Sequence, residues 1–504
     1  MSNYDAIIIG AGNAGLVSAT SLARAGLKTL LLERHNIPGG CATSFIRGRF
    51  EFEVSLHQLS GIGSEATPGP LRKLLAELGA LEKLNLVEEH DIYRAVAPGV
   101  DVTIPADLAA AQTALGHAFP AEKLAIGRFF QLMEQLVQQV RVFPGLATNA
   151  VSADEAQKIA PEFLKYALKN TKQVVDELFQ SEPLKYALTA YWSYIGVAPS
   201  QVNFASLALM LWDYMHFKPF HLKGGSQALS NALFDSYLEA GGEAQFNCGA
   251  AQILVKGGEA YGVVSEDGKQ HLASHIVCNA SPLVAYTQLI DPEQVPQSAL
   301  DEFATRKLGT SFATLHMGLD CNPEDLGINA STTFISSTLD EQGHQRAKSL
   351  EPPTYACVSC YDVGDPEFSP QGSCQVAALA LQYCDPWVGV PPEQYARTKY
   401  HYGDQLLKLV ETAYPGIRDV IEEVEVATPL THMRYLGHPG GAVYGFEQNL
   451  IDNSFIRRNQ SVIKNLHFAG AWSGMGGYEP TLTEGRATST KILRKLDSRG
   501  KTNA

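Results

Sequence analysis

Two sets of residues in this chain have the types and spacing to do chemistry. Gly10, Gly12 and Gly15, within GAGNAG, follow the apolar β-branched run YDAIII, and Glu33 closes a second apolar run, TLLL. Glycines so spaced let a turn tighten, let backbone approach a diphosphate, and let the next helix pack close to the strand. A carboxylate about twenty residues further on accepts from ribose hydroxyls and repels a 2′-phosphate. The second set could carry protons: Glu53 and His57 in FEFEVSLH, and Tyr478 and Glu479 in GGYEP. Each is of a type that serves as general acid or base when held beside a reacting group.

These residues need elements to position them. The order strand, glycine turn, helix, strand, acid is that of a βαβ unit, with phosphates at a helix N-terminus where free N–H groups favour negative charge. Asn13 and Ala14 open that helix. A paired glycine follows at Gly39 and Gly40, then FEFEVSLH alternates strictly, with Phe50, Phe52, Val54 and Leu56 on one face and Glu51, Glu53, Ser55 and His57 on the other. From 70 to 212 the spacing reads as helical, too long a stretch for a loop. Its end, through Leu207, Leu211, Trp212, Met215, Phe217 and Phe220, is apolar nearly all round. That pattern reads as core, or as a lipid-facing lip at the mouth of an apolar tunnel.

After Lys223 the chain returns to glycine-opened helix and short strands, and 292–459 is strand-rich. The C-terminal GAWSGMGGYEP is a third glycine turn opening a helix. Three dispersed glycine turns with one complete GxGxxG indicate FAD in an extended pose and no separate nicotinamide domain. The expected fold is α/β: a Rossmann-type FAD-binding domain (1–69, 224–291 and 460–504) interleaved with a mixed-sheet plus helical substrate domain (70–223 and 292–459).

Composition narrows the class. Hydrophobic residues make up 45% and charged residues 18%, as in a globular protein of two domains. A net charge of -14 leaves no basic stripe for nucleic acid. No apolar run reaches the roughly eighteen residues of a membrane span, and the chain opens with neither a basic segment nor an apolar signal core. Eight scattered cysteines fit a reduced, cytoplasmic protein and no disulfide framework. Cys357 and Cys360 form a CxxC, but a strand turns them to opposite faces and no second pair completes a metal site.

Across essentially its whole length the chain resembles the flavin amine oxidase and phytoene desaturase superfamily, in its carotenoid isomerase and retinol saturase branch. The motifs are GAGNAG with Glu33, PGGCATSF, FEFEVSLH, LKGGSQALSNAL, VCNASP, ATPLT and LHFAGAWSGMGGYEPTLTEG. The resemblance implies a GR2-like fold and bound FAD. Gly10, Gly12, Asn13, Ala14 and Gly15 would meet the pyrophosphate, and Glu33 with Arg34 the adenosine. Gly39, Gly40, Cys41 and Ala42 would pass the phosphates and ribityl chain. Ala250 stands where the family usually has a valine whose backbone meets adenine. Gly470, Ala471, Gly477, Tyr478 and Thr481 would run along the ribityl chain and flavin ring. Two departures from the amine oxidases stand out: Cys41 in place of an arginine after the paired glycine, and Ala471 in place of an acid. Both point to apolar substrates.

The expected activity is desaturation, saturation or isomerisation at carbon–carbon bonds of a long hydrophobic molecule, such as a carotenoid, retinoid or unsaturated fatty-acyl chain. A flavin amine or amino-acid oxidase and a non-catalytic lipid escort are the alternatives. Transient contact with the inner face of a membrane would follow from the apolar lip, through hydrophobic insertion more than charge. Neither oligomeric state nor direction of reaction is written in the residues.

Overall fold

The computed structural model describes residues 3–148, 157–166, 168–450, 452 and 460–502. Its first sheet is built on Tyr4–Ile9, which lies parallel between Thr29–Leu32 and Gln270–Cys278. Glu243–Gln245 and Leu466–Phe468 extend the parallel set on either side. Strands covered on both faces need continuous apolar runs, and all four residues of TLLL are buried. Ala250–Lys256 and Glu259–Ser265 add an antiparallel meander. The helix Asn13–Arg24 packs between the helices Gly225–Glu239 and Tyr478–Thr502. A Cβ at Gly485 would lie 2.5 Å from the Ala14 carbonyl, so only glycine permits this approach of the last helix to the first.

The second sheet has seven strands in the order 421–427, 311–319, 374–382, 355–360, 332–336, 91–97 and 100–105. All neighbours are antiparallel except Thr332–Ser336 and Asp91–Ala97, which makes the sheet mixed as expected. Two of these strands overturn the reading of 70–212 as uniformly helical. Asp91–Ala97 and Val100–Pro105 form a hairpin around Pro98 and Gly99, where β-branched residues and a positive-φ glycine outweigh the apolar spacing. Helices do occupy most of the rest of that stretch, including Leu108–Ala118, Thr171–Leu178, Glu182–Thr189 and Phe204–Phe217.

The last of these is not a lipid-facing lip. Leu207, Leu211, Met215 and Phe217 are buried in core with Phe129, Phe130 and Phe179, and the following Phe220 is buried in the core beside the first helix. Ser206, Leu209, Met210, Trp212, Asp213 and Tyr214 line a cavity, and His216 is exposed. Among the described residues no helix is long and apolar enough to cross a membrane.

Two buried carboxyl groups tie the layers together. The strand expected over FEFEVSLH ends at Glu53, because the Glu53 carboxylate turns back to accept from Ser55 N and Leu56 N. It also accepts from Ser226 N at 2.6 Å and Ser226 Oγ at 2.7 Å, at the start of the helix Gly225–Glu239. Burial pushes this carboxyl up and the four donors oppose it. Farther along, Gln58 donates to Glu89 at 2.5 Å and accepts from Tyr191 Oη at 3.0 Å, joining the loop after Glu53 to the second sheet and the helical layer.

Burial raises the Glu89 carboxyl from 4.5 to about 7, against its bonds from Ser331 and Gln58. Its contribution to the fold is therefore complete below pH 4.5 and is lost as pH rises through 7. Glu89→Gln removes this titration, so the variant gains stability relative to the parent between pH 4.5 and 7 and the difference levels off above. Urea unfolding across that window measures it, and a pH-independent difference contradicts it.

Candidate functional site

Two glycine turns meet at one side chain, and a third joins them through backbone. Asn279 follows the strand Gln270–Cys278, and with its amide oxygen assigned to the side of Gly12 it accepts from Gly12 N and donates to the Ala469 carbonyl, both at 3.2 Å. A Cβ at Gly12 or Gly470 would lie 2.7 Å from this amide, and one at Gly15 would lie 2.0 Å from the Gly10 carbonyl. Gly39 pairs with Gly12 backbone to backbone, and Gly39 N donates to the Ala11 carbonyl at 2.8 Å. The turns thus form one floor with no side chain above it, at the N-terminus of the helix Asn13–Arg24. Such a floor fits a pyrophosphate. Asn279 was absent from the sequence-based site, and its signal lay in the polar residue that ends the apolar run HIVC.

Around this floor the other cofactor residues take distinct places. The Glu33 carboxylate accepts from Ala11 N at 2.7 Å and His35 N at 2.8 Å and lines the cleft. Arg34 Nη2 donates to the Arg434 and Tyr435 carbonyls, at the end of the helix Pro429–Leu436, and Ala250 lines the cleft with it. Gly10, Asn13, Ala14, Gly40, Cys41, Ala471, Gly477 and Thr481 line it as well. Gly15 and Ala42 lie beneath the surface, Gly15 as a packing contact and Ala42 through its carbonyl, which accepts from Ser230 Oγ. Burial pushes the Cys41 thiol up to about 12, which leaves it neutral. With no arginine after the paired glycine, helix N-termini and backbone N–H groups supply the positive potential for phosphates. These residues fit FAD.

One cavity of 1530 Å³ contains all of these surfaces, well above the roughly 300–1,000 Å³ of a single small-molecule pocket. Its walls from the second sheet and the helical layer include Tyr194, Leu209, Met210, Trp212, Phe312 and Leu379, with Asp213, Lys399 and Glu425 also on the lining. The volume leaves room for a second ligand beside a dinucleotide.

The four expected proton carriers separate here. His57 lines the cavity, with its Nδ1 buried and without a hydrogen-bond partner among the described residues. Burial holds it down to about 4, so it is neutral at pH 7. Tyr478 Oη lies 2.8 Å from Ser55 Oγ, and burial raises its phenol well above the ordinary range. Glu479 lines the cavity and accepts from Ser60 Oγ at 2.6 Å. Glu53 is absent from the lining, committed to Ser55, Leu56 and Ser226. Four cavity histidines escaped notice in the sequence: His35, His438, His316 on the strand Ser311–Leu319, and His432, bonded to Ser311 Oγ at 2.8 Å. No group of side chains suited to a metal ion occurs among the described residues.

Known proteins place this geometry in a lineage. The chain is 26% identical over 530 residues to all-trans-retinol 13,14-reductase of Danio rerio, covering 98% of this chain and 86% of that one. It is 25% identical over 488 residues to prolycopene isomerase 2 of an Oncidium hybrid cultivar, covering 93% and 80%. Putrescine oxidase bound to putrescine shares the fold, with a TM-score of 0.64 at 16% identity over 97% of this chain and 99% of that one. A model of flavin containing amine oxidoreductases matches residues 13–493, nearly the whole length. The chain belongs to the flavin containing amine oxidoreductase family.

Proposed function

We propose that this FAD-dependent oxidoreductase acts on carbon–carbon bonds of a long hydrophobic substrate, a retinoid, carotenoid or unsaturated acyl chain, by saturation, desaturation or isomerisation. The observation that supports this is the single cavity in which the glycine floor and the wall of Tyr194, Leu209, Met210 and Phe312 are continuous. The activities in the names of the retinol reductase and prolycopene isomerase relatives agree with it.

When bound, FAD accepts or returns a hydride. The chain's own residues do the rest. Asn13 and Ala14, at the N-terminus of the helix Asn13–Arg24, would present backbone N–H groups to the phosphates, Glu33 would take the ribose hydroxyls, and Gly477 to Thr481 would hold the flavin end. Tyr194, Leu209, Met210 and Phe312 exclude water and hold an apolar chain, which gains about 0.8 kcal/mol per buried methylene. His57, neutral and with its Nδ1 unpaired among the described residues, lines the cavity together with His316. Tyr478, engaged with Ser55, acts as a wall.

The amine oxidase reading retains one foothold, since Asp213 and Glu479 line the cavity and a cation could seek them. Membrane contact, moved away from the buried helix Phe204–Phe217, finds support elsewhere. Arg47 and Tyr435 line the cavity and are exposed, and exposed Ile46 and Met433 stand next to them in the chain.

Loss of a charged hydrogen bond costs about 1.5–3 kcal/mol, so Glu33→Gln should retain FAD at least tenfold more weakly. Flavin absorbance after dialysis reads this, and unaltered retention contradicts it. Given retinoids or carotenoids in liposomes, the holoprotein should yield products of shifted mass or altered isomer composition and no peroxide from amines. Ile46→Asp with Tyr435→Asp should slow conversion from liposomes and spare conversion from detergent micelles. Peroxide formed with amines and an unchanged lipid pool would replace the lipid reading by the amine one.

A further inference from the structure

Adding or removing hydrogen at a carbon–carbon bond moves a proton along with each hydride, and a dry apolar cavity has to admit that proton. The strand Ser311–Leu319 turns Phe312, Thr314 and His316 towards the cavity. Directly opposite His316 in the antiparallel ladder stands Glu425, on the strand Ile421–Ala427, and Glu425 lines the cavity too. Side chains opposed in this way share a face, with Cβ atoms about 5 Å apart. His316 is 3% exposed, and its Nδ1 is buried with no hydrogen-bond partner among the described residues. A buried polar atom left unpaired calls for a role.

Glu425 reaches the outside. It accepts from Lys399 Nζ at 2.9 Å and from Arg47 Nε at 3.3 Å, and half of the Arg47 side chain is in solvent. Solvent-facing ion pair, carboxylate, imidazole and cavity wall therefore follow one another across two adjacent strands.

The rest of the His316 surroundings is apolar or neutral. Phe45 meets it edge-on at 5.1 Å and Phe52 packs at 5.9 Å, while Ala377 is its partner on the other neighbouring strand. The remaining titratable neighbours are His432, which is bonded to Ser311, and His57. Burial holds His316 down to about 3; His432 and His57 add to this and Glu425 opposes it. At neutral pH the ring is neutral, so it can take a proton on one nitrogen while it releases one from the other.

We propose that Glu425 and His316 form the proton entry of the cavity. For each hydride that the reduced flavin adds to one carbon of a double bond, one proton passes from water through the Glu425 carboxylate and the His316 imidazole to the other carbon. Desaturation runs the same path outward, hydride to oxidised flavin and proton to water. The assignment rests on the carbon–carbon chemistry proposed above.

Holoprotein labelled with 15N-histidine tests it. The His316 ring N–H is assigned by its loss in His316→Gln, and its exchange with water is measured by saturation transfer. Glu425→Gln should slow that exchange about tenfold, the effect of about one pKa unit in the population of the protonated ring. FAD absorbance should stay unchanged. His316→Gln should slow polyene conversion about a hundredfold at constant KM, with a larger solvent deuterium isotope effect. Unaltered exchange in Glu425→Gln, or unaltered conversion and isotope effect in His316→Gln, overturns the proposal. Normal carboxylate-dependent exchange in a protein that converts no polyene would instead indict the substrate reading.

Discussion

The structure depends on the close approach of the turns at Gly12 and Gly470 to the Asn279 amide. With its oxygen assigned to the side of Gly12, that amide bonds Gly12 N and Ala469 O, and a methyl group at Gly12 or Gly470 would collide with it. The two turns come from opposite ends of the chain and Asn279 from its middle, and the parallel strands Tyr4–Ile9, Gln270–Cys278 and Leu466–Phe468 bring them together. Fixing that convergence leaves the N-terminus of the helix Asn13–Arg24 open to the cleft, which is what a diphosphate requires and what a cluster of cations would otherwise supply.

The second sheet and the helical layer complete the opposite wall, and their chemistry is of another kind. Glu89 is engaged there by Gln58, while Glu53, beside the glycine turns, is engaged by the helix Gly225–Glu239. The wall facing the cavity from this side carries Tyr194, Leu209, Met210, Phe312 and Leu379 together with Asp213, Lys399 and Glu425, and burial holds His57, His316 and His432 below the ordinary histidine range. Against its aromatic and aliphatic part a carbon–carbon bond beside a hydride carrier meets few competing charges. Such a wall makes a defined route for protons necessary.

Much of the first sheet was legible because its signals are local. GAGNAG, the run before it and Glu33 lie within one βαβ unit, and each residue's role follows from its neighbours in sequence. The mixed second sheet was legible as a class, but the hairpin 91–105 was not, since its short apolar spacing fits helix as well as strand and Gly99 decides between them. The helix Phe204–Phe217 could not be placed from its composition, because an all-round apolar helix serves core and lipid equally. Asn279, His316 and His432 act only through partners far away in sequence, so nothing next to them announced their place. Glu53 misled for a related reason: alternation put it on a polar face, while the strand stops at that residue to let its carboxylate cap a distant helix.

The central claim is that polar cradle and apolar arm are parts of one continuous site. A crystal structure of the holoprotein with a retinoid bound tests it most directly. The account predicts FAD along the glycine turns around Asn279 and the polyene against Tyr194, Leu209, Met210 and Phe312, with no ordered water between its double bonds and the flavin ring. A polyene seated outside that arm, or an arm filled with ordered water, would contradict it.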